Sequence, residues 1–200
     1  MQEIYFCTGN KGKIAYLRQA LSPYEITVMQ AELELVEPQF DHVADIAVYK
    51  AKQAFEKLQK PVVVEDSGLC IHALNGFPGP YTKYVSDHLK PEHIAKMMVE
   101  EEDRTAHFQA MLIYIDENGQ DHKFEEKIPA SICTEVDQNP LHPDAWSPLW
   151  RILSVTDCGQ SINALTDQQR DYLYKKRAET SRFAKLGTFL NDKYNLKSAI

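Results

Sequence analysis

The sequence predicts an α/β protein in which helices flank a mixed sheet. Three observations carry this reading. The first seventy residues alternate β-rich and helix-periodic stretches in the order β-α-β-α-β. Within them, Val62-Val63-Val64 is a short apolar run of the kind that forms a fully buried strand. Further on, Asp116-Glu117-Asn118-Gly119 stands between two β-rich runs, and Asn-Gly in that setting signals a hairpin.

Residues 3–8, EIYFCT, are rich in β-formers and run through GNKGK into an apolar helical pattern at Ile14, Leu17 and Leu21. A second strand is expected over 25–29, after Ser22-Pro23. The clearest helix follows an acidic stretch, with Val43, Ile46, Ala47, Ala51, Ala54, Phe55 and Leu58 on its apolar face. It feeds the valine strand, which is expected to end in turn residues after Val64. Gly76, Pro78, Gly79 and Pro80 then mark a structured loop, and a helix resumes after Pro91. Residues 106–115 and 121–133 are the two arms of the hairpin, so the middle of the chain reads as antiparallel. From Thr166-Asp167 the chain is helical, breaks near 178–181, and ends in a helix carrying Phe183, Leu186, Phe189 and Leu190.

With 200 residues, 44% hydrophobic, the chain suits one globular domain over 1–200 with room for two lobes. No window approaches a membrane span and the first residues lack the pattern of a signal peptide, so a cytoplasmic protein without a membrane partner is expected. Cys7, Cys70, Cys133 and Cys158 are far apart and mostly flanked by apolar residues, which argues for buried thiols over disulfides or zinc ligands. A formal net charge of −7 argues against binding a nucleic acid polymer, so any anionic ligand has to meet a local cluster of positive charge.

The stretch PVVVEDSGL raises the question of chemistry. Asp, Ser and Gly are ordinary turn residues, so a solvated turn explains it. Carboxylates at the carboxyl end of a buried strand also sit where α/β sheets open their ligand crevices, and a hard cation such as Mg²⁺ takes such oxygens. The loop Thr8-Gly9-Asn10-Lys11-Gly12-Lys13 lies between a strand and a helix, where free backbone N–H groups attract anions, although it lacks the GxxxxGK[ST] spacing. Glu37 precedes Pro38, which holds it extended. If the chain folds Glu37 toward the end of the valine strand, it and Asp66 could share one Mg²⁺; spacing alone does not show that.

Together, Thr8-Gly9-Asn10 with Lys13, Glu37-Pro38, Lys50-Ala51 and the run VVVEDSGLCIHALNGFPGPYTKYV resemble the family of Ham1-like nucleoside triphosphate pyrophosphatases. The match covers residues 4–90, and its last run is the specific part. The resemblance implies an elongated, two-lobed α/β structure and a homodimer. It also implies Mg²⁺-dependent hydrolysis of a nucleoside triphosphate, with a noncanonical purine such as that of dITP, ITP or XTP, to monophosphate and pyrophosphate. Carried onto this chain, Thr8, Gly9, Asn10 and Lys13 would hold the phosphates, with Ser67 and Gly68 beside the substrate. Glu37 and Asp66 would hold the metal, and Asp66 with Glu65 would serve the attacking water, Asp66 as general base.

The carboxyl half departs from the family's pattern. In DAWSPLW, Trp146 is present to stack on a base, or simply to pack, but Ser147 stands where the family has aspartate. Near the end, Ser181 stands where a histidine is expected; Arg182 and an upstream lysine, placed at Lys176, remain as substrate-binding candidates. Arg182 would read a keto oxygen or a phosphate, or form a helix-surface ion pair. The family's glycine-bearing strand is altered too, since FEEKIPASI has no glycine. Two lost base partners, at about 1 to 3 kcal/mol each, are enough to change which base wins. Action on another modified nucleotide, and nucleotide binding without turnover, are therefore the competing readings.

Overall fold

A computed structural model describes residues 2–156 and 159–196. The elements in chain order are β1 (Gln2–Cys7), α1 (Lys11–Leu21), β2 (Ile26–Ala31), α2 (Val43–Leu58), β3 (Val62–Ile71), β4 (Pro78–Gly79), α3 (Thr82–His88), α4 (Pro91–Met97), β5 (Thr105–Ile115), β6 (Asp121–Ile132), β7 (Leu153–Ser154), α5 (Asp167–Ala178) and α6 (Arg182–Tyr194). The strands follow the order β2-β1-β3-β5-β6-β7, with β4 on β3. β1 pairs in parallel with both β2 and β3, while β3–β4 and β6–β7 are antiparallel, so the sheet is mixed as expected.

The chain divides into two compact units. The first contains described residues within 2–66, 110–126 and 176–196. Its strands alternate their side chains between two apolar layers, as the two-residue period of a strand requires. Ile4, Phe6, Val63, Leu112 and Tyr114 face one layer with Ile14, Leu17 and Leu21 of α1 and Phe183, Leu186 and Leu190 of α6. Val62, Val64, Met111, Ile113 and Ile115 face the other layer, covered by Val43, Ala47, Ala51 and Ala54 of α2. Fully buried side chains such as Phe6 and Leu17 each contribute roughly 1.5–3 kcal/mol. The hairpin turn forms at Asp116–Gly119: Asp116 Oδ1 accepts from the backbone N–H groups of Asn118 (3.0 Å) and Gln120 (2.9 Å), and Gly119 takes φ +78°.

The second unit contains the described residues within 67–109 and 127–175. Leu69 and Ile71 of β3, Val85, Ile94, Met98, Ile132 and Trp150 form its core. Here the valine strand departs from expectation. It does not end at Val64 but continues to Ile71, with β4 folding back to pair Leu69 with Gly79 and Cys70 with Pro78. Glu65-Asp66-Ser67-Gly68 is therefore strand, not turn. Among the described residues, no helix is long and apolar enough to cross a membrane. Cys7 and Cys133 are buried and Cys70 partly so, whereas Cys158 lies outside the described residues.

Candidate functional site

Because β3 continues through the acid pair, its alternation sends Glu65 and Asp66 to opposite faces of the strand. Glu65 follows Val63 toward α1 and α6. Its side chain has no exposed surface, and its carboxylate meets the Lys13 ammonium through Oε2 and Arg182 Nη2 (2.8 Å) through Oε1. Asp66 follows Val64 toward α2 and stays partly open, with 23% of its side chain exposed. There Lys50 Nζ stands 3.9 Å from Asp66 Oδ2 and 2.5 Å from Glu37 Oε1.

The segment carrying Glu37 has no regular structure, yet α2 holds it closely. Gln53 accepts from the Val36 N–H (3.1 Å) and donates to its carbonyl (2.8 Å), while Lys57 donates to the Glu34 carbonyl (2.5 Å). Lys50, Gln53 and Lys57 share one helix face by their three- and four-residue spacing, and that face brings Glu37 near Asp66. Glu37 and Asp66 together form a hard, oxygen-only donor pair. It suits an ion such as Mg²⁺, which binds proteins through one or two carboxylates and takes its other oxygens from phosphate and water. Among the described residues, no group of three or more His, Cys, Asp or Glu side chains gathers as a protein-only metal cage.

At the candidate anion-binding loop, Asn10 caps α1: its Oδ1 accepts from the Lys13 N–H (3.1 Å), and the Asn10 N–H is held in turn by Thr8 Oγ1 (3.1 Å). Gly9 and Asn10 are exposed, and a Cβ at Gly9 would meet nothing within 4 Å. The loop thus offers open space beside the helix N-terminus, with Lys13 one turn inside it.

Arg182 takes the ion-pair alternative, but in a buried form: its side chain is only 11% exposed. Besides Glu65 it binds Glu126 Oε2 through Nη1 (2.7 Å) and through its backbone N–H (3.2 Å). Glu126 Oε1 accepts from Arg177 Nη2 (3.1 Å) and Nε (3.3 Å). Burial alone would raise the Glu126 pKa, but the charges of Arg177 and Arg182, with the hydrogen bonds from Arg182, hold it below the ordinary carboxylate range.

The structure brings Lys13, Glu65 and Arg182 into one cluster and Glu37 and Asp66 into another. Lys176 is exposed on α5. Ser181 is the N-cap of α6, accepting from the Ala184 N–H (3.2 Å) and donating to the Ala178 carbonyl (2.9 Å). In the second unit, Ser67 is half-buried, and Gly68 packs so tightly that a Cβ there would lie 2.2 Å from the Gly79 carbonyl oxygen. Trp146 is 51% exposed and sets its ring edgewise against Phe108 at 5.3 Å. Ser147 is buried, shares a 2.5 Å hydrogen bond with Ser86 and accepts from the Leu149 N–H (3.1 Å).

Sequence reasoning did not assign site roles to Lys50 and Glu126. Lys50 carried a usable signal, since it interrupts the buried stripe Val43-Ala47-Ala51-Ala54 of an otherwise apolar helix face. Glu126 carried a weaker one, alternating with Phe124 and Ile128.

Fold and site together define a mixed α/β protein that gathers acidic and basic side chains on both faces of one central strand. The sequence pattern of the Ham1 family matches residues 4–144. A dITP/XTP pyrophosphatase of Methanosarcina mazei is 38% identical over 183 residues, covering 92% of this chain and 96% of its own. The protein of that name from Methanosarcina acetivorans is 42% identical over 135 residues, 68% of this chain and 73% of its own. Among solved structures, a HAM1 protein from Coxiella burnetii superposes with a TM-score of 0.76 at 20% identity, covering 96% of this chain and 100% of that one. The Ham1 protein of Staphylococcus aureus gives 0.75 at 21% identity, with the same coverage. The chain belongs to the Ham1 family.

Proposed function

We propose that this protein is a Mg²⁺-dependent nucleoside triphosphate pyrophosphatase that hydrolyses noncanonical purine nucleoside triphosphates of the dITP, ITP and XTP kind to monophosphate and pyrophosphate. The observation that carries the reading is the meeting of Glu37 and Asp66 at Lys50, while Lys13 stands beside Glu65 on the other face of the same strand. The name shared by the Methanosarcina relatives supports the substrate class.

In this reading Lys13 and the N–H groups of the Thr8–Asn10 loop hold the phosphates, where an α-helix start favours negative charge. Asp66, partly open to solvent, orients a water and accepts its proton. The water oxygen bonds to the α-phosphorus, the bond from that phosphorus to the bridging oxygen breaks, and the bridging oxygen leaves with pyrophosphate. Glu65 keeps the Lys13 amine in place. Mg²⁺, held by Glu37 and Asp66, would supply charge neutralisation for the polyphosphate. The same reading treats residues 1–200 as one domain, working as a homodimer in the cytoplasm; light scattering on the purified protein tests the dimer.

Incubation with ITP and Mg²⁺ should release pyrophosphate, and Asp66→Asn should abolish release while leaving the circular dichroism spectrum intact. Release of orthophosphate would overturn the reading. One observation favours a second reading, action on a different modified nucleotide: the Ser147 and Ser181 hydroxyls, at the two altered positions, are committed to partners inside the protein. A panel of triphosphates separates the two.

A further inference from the structure

Glu126 has no task in the reaction set out above, yet it is a buried member of a chain of alternating charge. From α1 to α5 the chain runs Lys13, Glu65, Arg182, Glu126, Arg177. Each Glu126 oxygen meets a guanidinium, and Oε2 also accepts the Arg182 backbone N–H at the start of α6. Arg182 is thereby divided between two carboxylates, with Nη1 on Glu126 and Nη2 on Glu65, while its buried Nε has no hydrogen-bond partner among the described residues.

We propose that Glu126 is a positioning residue: it holds the Arg182 guanidinium so that only Nη2 reaches Glu65, which leaves the second Glu65 oxygen to fix Lys13. This rests on the phosphate-binding role given to Lys13 in the proposed function. A guanidinium is a planar fork that matches a carboxylate through two parallel bonds. With the Glu126 charge removed, the carboxylate left to Arg182 in this chain is Glu65, and bidentate pairing there displaces Lys13. Lys13 is the competitor that can leave, since its side chain is 25% exposed whereas that of Arg182 is 11% exposed. Three cations would then face one buried anion. Local positive charge rises, so the grip on polyphosphate is not weakened, but the amine that orients it is no longer held.

The test is Glu126→Gln, which keeps the shape and an acceptor for the Arg182 N–H while removing the charge. With ITP as substrate, kcat should fall about 10- to 100-fold, the size expected from misplacing a positioning group, with no rise in KM. A merely structural role would lower the melting temperature without this split. The double variant Glu126→Gln/Arg177→Gln returns the charge sum of the chain to its wild-type value. If Glu126 only neutralises Arg177, the double variant recovers kcat and the proposal is overturned; if Glu126 positions Arg182, kcat stays low. Should Glu126→Gln not fold alone, the double variant carries the same comparison. Wild-type kcat in Glu126→Gln overturns the positioning role and leaves the proposed function standing. If the wild-type protein releases no pyrophosphate from any triphosphate, the functional reading falls, and this role with it.

Discussion

Replacing Gly68 by alanine separates two explanations of one residue, packing and substrate approach. A Cβ at this position lies 2.2 Å from the Gly79 carbonyl oxygen, 2.6 Å from its carbon and 3.2 Å from the Pro80 nitrogen. All three are backbone atoms, so no rotamer change relieves the contact, and β4 has to move away from β3. The displaced carbonyl is itself held: Thr82 Oγ1 donates to it at 2.7 Å and accepts from the Leu69 N–H at 2.7 Å. Overpacking costs about 1–3 kcal/mol, and loosening two buried hydrogen bonds adds about 1 kcal/mol each. The expected loss is about 3–5 kcal/mol, and at about 2–4 °C per kcal/mol for a chain of this size the melting temperature should fall by about 6–20 °C. Urea unfolding followed by circular dichroism, with KM for ITP measured on the same sample below the transition, reads both quantities. An unchanged unfolding midpoint with a raised KM would refute the packing argument and return Gly68 to the substrate.

Three further perturbations follow from the same geometry. Asp116 is fully buried; burial alone would raise its pKa, but hydrogen bonds from Lys193, the Gln120 and Asn118 N–H groups and His122 bring it from 3.8 to about 2. A carboxylate with a depressed folded-state pKa gives stability that is present above its unfolded value and lost as pH falls toward the folded one. Asp116→Asn should therefore cost about 2 kcal/mol at neutral pH and flatten the stability profile between about pH 4 and pH 2, read by urea titrations across that range. Arg182→Met leaves Glu65 and Glu126 buried against each other's charge, and urea unfolding should show a loss of about 3–5 kcal/mol; a loss within error of zero would mean the chain of charge is not formed. Lys50→Met removes the ammonium that stands between Glu37 and Asp66, so Mn²⁺ titrated calorimetrically into the nucleotide-free protein should bind about tenfold more tightly; weaker binding would show that the two carboxylates are not the metal pair.

The parts of this molecule that could be read from sequence are those set by local periodicity. The helix over Val43–Leu58, the Asn-Gly hairpin and the break before Arg182 all announce themselves within a few residues of chain. The end of β3 did not, because its pairing partners lie further along the chain, β5 and, for Leu69 and Cys70, Pro78–Gly79 beyond a tight loop. The family wording around Glu65-Asp66 singled out these two acids but not their division between two faces, which the continued strand imposes. Nor does a sequence reveal pairing across 117 positions, the separation of Glu65 from Arg182, since any buried acid is read as exposed until its cations are known.

That last point bears on why the charge chain exists. Buried ion pairs stabilise a fold no better, on average, than apolar side chains of the same volume, because desolvating each charge offsets most of the attraction. A chain that buries Glu65, Arg182 and Glu126 in this way is therefore poorly explained by stability alone. It is better explained if one member has to be a charged group held at a fixed point, and Lys13 is the member at the open end, beside the exposed Gly9–Asn10 turn. A lysine there needs a carboxylate to fix it, a buried carboxylate needs a second cation, and that cation needs an anion of its own if it is not to take the first carboxylate whole. Glu126 and Arg177 then follow as consequences of the need to hold one amine still, and their distance from the Thr8–Asn10 loop is no argument against the positioning role proposed for Glu126.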